Sequence, residues 1–360
     1  MPLAFPSRLL ALSACLIAAG PAMAEQVYEG TVGSARIVLA LDDDGKGGVS
    51  GHYFYHATRL DIDLTGTHQG TALTLASEIT GDHLALTQSG AGLAGTLTTA
   101  KGSALPIHLH SAAAPHDLPA DLPPKLGLYE TLQLSGLSLA PQQSVSLNGK
   151  TIRWYREGLT GLRLFRLESG YPAPAMAAIN HALTRQQWSE VSAFLGCTGS
   201  DGHPGSEMSK ADTPWLGAHA MSYTWSSSWS CARAAHPDFG TEGHSFDTVT
   251  GRELTLDGVL PFGKGPIPRA DSDAWYSYRD KVFAPGLIAL LRRYHPQEMK
   301  PPKAGDEDDC DYTQTDVWNF PAWSLGPKGL WVGAIFPRVM RPCDSPDWAI
   351  IPWSALKRQP

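Results

Sequence analysis

From residue 25 to residue 112, apolar and polar positions alternate in short runs. Ile37, Leu39 and Leu41 share one face, and the Asp42-Asp43-Asp44-Gly45-Lys46-Gly47-Gly48 stretch then turns the chain. Leu60-Asp61-Ile62-Asp63-Leu64 reads as an inside–outside strand. The period of two continues through Leu73 and Leu75, Leu84 and Leu86, and Leu93 and Leu97. Ile107 and Leu109 close it, with His108 and His110 on the opposite face. Roughly eight strands at this spacing predict an all-β domain over residues 25–112, an antiparallel sandwich or barrel. Gly66-Thr67, Gly70-Thr71 and Gly95-Thr96 recur within it and suggest a hairpin repeat.

The pattern then breaks. Ala112 to Pro124 is proline-rich, and residues 113–147 are expected to be a linker followed by an irregular segment. Residues 148–360 predict an α+β domain, with one antiparallel sheet and helices on one face. Lys150 to Glu157 and Leu162 to Leu167 read as strands. Pro172 to Leu195 carries a helical period through Met176, Ile179, Leu183, Trp188 and Val191. Ala218 to Trp225 and Ser228 to Ala235 are expected to be paired strands joined by a turn at Ser226 to Ser228. His244 to Val249 and Arg252 to Leu256 flank a Thr250-Gly251 turn. A second helical region from Asp271 to Tyr294 should break near Pro285-Gly286. Val317 to Phe320, Leu330 to Phe336 and Ala349 to Ile351 complete the expected strands.

The first 24 residues change the compartment. Arg8, the apolar run Leu9 to Ala19, and Ala22-Met23-Ala24 before Glu25 read as a secretory signal cleaved between Ala24 and Glu25. Leu12-Ser13-Ala14-Cys15 resembles a lipobox, so acylation of Cys15 is the rival reading. Only six apolar residues would precede that cysteine, and we favour free export to the periplasm or medium. The run is too short to span a bilayer, and no later segment is long and apolar enough to do so. The remaining cysteines are Cys197, Cys231, Cys310 and Cys343, an even number suited to two disulfides in an oxidising compartment. Three pairings are open. Cys197–Cys231 and Cys310–Cys343 are preferred because each closes a short loop. There is no Cys-x-x-Cys pair to suggest zinc.

Charge excludes one class. The 28 Lys and Arg against 35 Asp and Glu give −7, or −8 without Arg8, which argues against nucleic acid as a partner. All eleven tryptophans lie between Trp154 and Trp353. Trp225, Trp229, Trp318 and Trp323 are the candidate binding residues, since an exposed indole stacks on a sugar face or anchors a protein interface. His108 and His110, with His52, His56, His68 and His83 nearby, could ligate a metal, but no third ligand is fixed by spacing. The acidic run Gly305 to Asp311 lacks calcium-loop spacing and reads as a solvated loop beside a disulfide. No cofactor is implied.

No catalytic signature is present. Gly243-His244-Ser245 is not a nucleophile elbow, because Asp247 stands where a second glycine is needed. Asp247 and Glu253 flank a turn and are the candidate carboxylate pair if the protein is an enzyme.

The stretch Ser245-Phe246-Asp247-Thr248-Val249-Thr250-Gly251-Arg252-Glu253-Leu254-Thr255-Leu256-Asp257-Gly258-Val259-Leu260 resembles a hallmark of one exported domain family. That family includes the extracellular domain of RsiV-type lysozyme-sensing anti-sigma factors and the non-catalytic part of a peptidoglycan deacetylase. Ala178-Ile179-Asn180 and the closing Ile350-Ile351-Pro352-Trp353-Ser354 extend the resemblance over residues 148–357. Gly51-His52-Tyr53-Phe54-Tyr55 is similar to the marker of a small β module of bacterial exported proteins, to which we assign no function. The resemblance implies an exported, non-enzymatic envelope protein that binds a lysozyme-like protein or peptidoglycan. The alternative is an envelope-polymer hydrolase or esterase with an unrecognised active site.

Overall fold

A computed structural model of the protein describes residues 25–232, 234–303 and 309–356. The signal segment with Cys15 and Ala24, and most of the 305–311 acidic run, lie outside the described residues.

The N-terminal alternation closes into a barrel. Strands β1 (Gln26–Val32), β2 (Ala35–Asp43), β3 (Gly48–Tyr55), β4 (Ile62–Gln69), β5 (Ala72–Ala76), β6 (His83–Ser89), β7 (Gly92–Thr98) and β8 (Ala104–Ser111) pair antiparallel in sequence order, and β8 returns to β1. Eight strands leave an interior just wide enough for side chains. Leu39, Tyr53, Leu64, Leu75, Leu84, Leu97 and Ile107 fill it. The glycines of the Gly-Thr steps do part of the bending. A Cβ on Gly66 or Gly95 would lie 1.9 Å from a carbonyl oxygen of the neighbouring strand.

Strand β2 is apolar on both faces, and the reason lies outside the barrel. Helix α1 (Leu128–Leu134) lays Tyr129 and Leu132 over Val38, Ala40 and Phe54. The expected irregular segment therefore contains a helix. It also contains β9 (Leu139–Leu147), which pairs with β10 (Lys150–Glu157), itself paired with β11 (Arg163–Ser169). Proline density before residue 125 hid both elements from pattern reading.

Helix α2 (Ala173–Leu195) appears where its period predicted. It packs on β11 and is pinned by polar side chains as well as by Ile179, Leu183 and Val191. Asn180 accepts from the Leu167 N–H and donates to the Leu167 carbonyl, at 2.7 and 2.9 Å. Gln187 donates to the Tyr155 and Leu162 carbonyls.

A second sheet holds β12 (Ser206–Ala211), β13 (Trp215–Leu216), β14 (Ala220–Trp229) and β15 (Asp238–Asp247), with β12 and β13 on one edge of β14 and β15 on the other. Here two expectations change. Ser226 to Ser228 is not a turn but the middle of β14, so Trp225 and Trp229 lie on one strand. Serines lack the backbone preference of glycine or asparagine, and the reversal falls later, before Asp238. The expected single sheet is three small ones, the third being β16 (Ala322–Gly326), β17 (Gly329–Gly333) and β18 (Ile350–Pro352).

β14 stands between two cores. Met221, Tyr223 and Trp225 join the α2 core, while Ala220 joins Leu325, Leu330 and Ile351. Around that second core run α3 (Leu256–Val259), α4 (Asp273–Tyr278) and α5 (Ala284–Tyr294). Pro285 sits in the first turn of α5 and does not break it; a π-helical turn over Arg279–Phe283 joins α4 to α5 instead. Val317 lies in a short 3₁₀ helix (Asp316–Trp318), not a strand.

β15 and β16 approach so closely that a Cβ on Gly243 would lie 1.6 Å from the Trp323 carbonyl oxygen. Gly243→Ala must push the two strands apart. It is expected to cost about 1–3 kcal/mol of stability, read from the urea midpoint.

Both preferred disulfides form, Cys197–Cys231 and Cys310–Cys343, separated by 34 and 33 residues. They fit a protein of an oxidising, non-cytoplasmic compartment. Among the described residues no helix is long and apolar enough to cross a membrane.

Candidate functional site

The four tryptophans fall into different settings. Trp225 and Trp318 are 2 % and 0 % exposed, so neither indole face is open to a ligand. The Trp318 indole donates to the Tyr312 carbonyl at 2.9 Å. Trp323 is partly buried against the second core. Trp229 lines a recess.

That recess, of about 280 Å³, lies between the C-terminal half of α2 and strands β12 and β14. Its walls are Trp229, Phe194 and the Cys197–Cys231 disulfide, and Ser206, Ser209 and Ser227 supply hydroxyls. Strand alternation puts Trp225, Ser227 and Trp229 on the α2 side of β14. The disulfide fixes the back wall. Next to it, Gly205 N donates to the Cys197 carbonyl and Ser230 N to the Gly205 carbonyl, both at 2.7 Å.

Glu190 is the ionisable group of this lining. Burial pushes its carboxyl up to about 7, and the nearby Glu242 carboxylate adds to the rise. Gln186, which donates to Oε1 at 2.7 Å, and the Trp225 indole pull the other way. The same indole donates to Ser209 Oγ at 3.1 Å. Glu190 is thus half protonated near neutrality and can donate or accept. Sequence reading missed it, because one glutamate on a helix looks like a solvated charge. The signal is tertiary: Trp225 and Trp229 arrive from β14.

The candidate enzymatic carboxylates occupy a second concavity, a cleft of about 700 Å³ that includes Asp247, Glu253, His219 and Arg252. Asp247 Oδ1 accepts from the N–H groups of Val249 and Thr250, each at 2.8 Å. These bonds hold its carboxyl below the usual range. It is therefore a turn-former that stays ionised, poorly suited to give up a proton. Glu253 Oε1 lies 3.3 Å from His244 Nδ1, and His244 stacks on Tyr223 with ring centroids 5.0 Å apart. Ser245 is buried and bonded to Ser222, with Oγ atoms 2.7 Å apart, so it is no exposed nucleophile.

His108 and His110 both face outward from the barrel. His68 Nδ1 meets Asp43 Oδ2 at 2.5 Å, and His52 packs edge-on to Tyr129. Among the described residues no three His, Cys, Asp or Glu side chains converge as a metal-ligand set.

A third polar group sits where the barrel meets the rest. Asp61 Oδ1 accepts from Tyr129 Oη at 2.8 Å and from Gln133 Nε2 at 2.7 Å. Its backbone N–H donates to the Leu195 carbonyl at 3.0 Å, and Thr198 Oγ1 donates to its carbonyl oxygen at 2.5 Å. Burial pushes the Asp61 carboxyl up to about 7, with Asp63 and Glu130 adding to it. This junction joins β4, α1 and the end of α2 next to Cys197.

Compared with protein-family models and with curated proteins, the chain matches none.

Proposed function

We propose that this is an exported envelope protein of the periplasm or the medium, without catalytic activity, that binds cell-wall glycan. The observation that carries the reading is the Trp229 recess. It pairs an aromatic wall with serine hydroxyls and a carboxyl able to donate or accept, which is what a pyranose ring with polar edges and an apolar face requires. Its volume equals about nine waters at roughly 30 Å³ each, the space of one sugar ring with a substituent. Only one carboxyl lines it, whereas glycosidic hydrolysis uses a facing pair. That favours binding over the hydrolase alternative.

The test is calorimetric titration of a soluble N-acetylglucosamine tetramer into the oxidised protein. Binding is expected, and Trp229→Ala should weaken it at least about ten-fold, while Tyr276→Ala, at an exposed ring outside the recess, serves as a control. No binding up to about 10 mM, or equal binding by Trp229→Ala, would overturn the reading.

A lysozyme-like partner is the second reading. It is favoured by the net charge of −7 and by the resemblance over residues 148–357. An acidic surface speeds encounter with a basic muramidase, an effect that salt screens. Titration against a basic lysozyme at low and high salt, with muramidase activity followed in parallel, separates this reading from the first.

A further inference from the structure

We propose that the cleft at the Asp247 end of the β14–β15 ladder is a second binding site, for a short peptide with a free carboxylate and a free ammonium. Its volume of about 700 Å³ lies in the range of small-ligand sites. Leu254 and Val259 give it an apolar wall, and groups of both signs stand around that wall: Asp247 and Glu253, Arg252 and His219.

These groups differ in how far they are already engaged. Arg252 is exposed and has no ion-pair partner among the described residues. An unpaired guanidinium fork in a concave site is a bidentate receptor for a carboxylate. Asp247 is fixed by its own turn through Oδ1, which keeps its charge in place as an anchor for an ammonium. Glu253 is shared with His244. The His219 segment is held against the turn, because Thr248 N donates to the His219 carbonyl at 2.9 Å.

The charge pattern selects the ligand. A plain anion on Arg252 would also meet Asp247 and Glu253, and a plain cation on Asp247 would meet Arg252. A zwitterion with the right spacing satisfies both. Small apolar side chains suit the Leu254 and Val259 wall. No Trp, Tyr or Phe is among the residues lining this cleft, so it lacks the broad stacking face of the Trp229 recess. The two sites are also far apart. Ala220 pairs with Asp247 at one end of the ladder and Trp229 with Asp238 at the other, nine residues or roughly 30 Å away.

Titration of tri-alanine with free ends into the oxidised protein at low salt tests the proposal. Millimolar or tighter binding is expected, with a loss of at least about ten-fold when either end is blocked by acetylation or amidation. Arg252→Gln should weaken the free and N-acetylated peptides about ten-fold and leave the C-amidated peptide unchanged. Trp229→Ala should leave all three unchanged, so failure of the glycan reading does not carry over. Equal affinity for free and doubly blocked peptide, no binding up to about 10 mM, or indifference to Arg252→Gln would each overturn it.

Discussion

Between about pH 5 and about pH 8 the protein is expected to lose on the order of 3 kcal/mol of stability through Asp61 alone. The carboxyl is raised in the folded state to about 7, from an ordinary 3.8. The folded protein therefore holds a proton that the unfolded chain releases. The stabilisation is fully present below the unfolded value and disappears as pH rises through about 7. At pH 5 the group is two units below its folded value, worth roughly 2.7 kcal/mol at about 1.36 kcal/mol per unit. Glu190, also raised to about 7, adds in the same direction. His52, held down by burial, works in the opposite direction at the acid end of the window.

Asp61→Asn separates these contributions. The amide keeps an oxygen for Tyr129 and Gln133 and removes the titration. Urea unfolding of both proteins at several pH values should give curves that meet below about pH 4 and diverge steadily toward pH 8, the variant being the more stable. Parallel curves would mean that Asp61 ionises freely in the folded protein. Because the junction also ties α1 to the end of α2, partial loosening of the barrel from the rest at alkaline pH should accompany the loss.

Removing the Cys197–Cys231 bridge has the other large expected effect. It closes a 34-residue separation, for which loss of the chain-entropy restraint amounts to about 4 kcal/mol at 25 °C. The Cys197→Ser/Cys231→Ser double variant should unfold at a correspondingly lower urea concentration. It should also lose glycan affinity at least about ten-fold, because both cysteines line the recess with Trp229. The Cys310–Cys343 bridge lines neither the recess nor the cleft. Its removal should lower stability by a similar amount and leave affinity intact. Equal loss of affinity in both variants would show that the recess responds to global stability and not to its own wall.

The barrel and α2 were legible because their faces are set locally. Leu73 and Leu75, or Leu84 and Leu86, show the period of two, and Ile179, Leu183 and Val191 show the helical one. In β2 the alternation of Ile37, Leu39 and Leu41 gave the barrel face, but not that Val38 and Ala40 on the other face lie buried under Tyr129 and Leu132, since α1 follows a proline-rich stretch. Ser226 to Ser228 misled because small polar residues suit a turn or an amphipathic strand equally, and only pairing with Gly240, Thr241 and Phe239 decides. The π turn at Arg279–Phe283 has no sequence mark beside Pro285. Burial of Arg279 there depends on Asp257, 2.8 Å away, and on the face of Phe283.

The candidate site was half legible. Trp229 was named for its indole, and the cysteine pairing that builds the wall behind it followed from loop length. Glu190 was not, since nothing in Ser189-Glu190-Val191 shows that a strand 35 residues later will desolvate it. Trp225 and Trp318 look like Trp229 in sequence and are core in the structure. The difference is position: Trp225 lies mid-strand beneath α2, whereas Trp229 ends β14, where the strand and the end of α2 leave a recess between them.

The most direct measurement is an NMR titration of indole-¹⁵N-labelled protein with the N-acetylglucosamine tetramer, with Trp229 assigned by its absence in Trp229→Phe. A saturable shift of the Trp229 indole signal is expected, with a smaller one for Trp225 through Glu190 and none for Trp318. An unmoved Trp229 signal at saturating sugar, or shifts confined to other indoles, would contradict it.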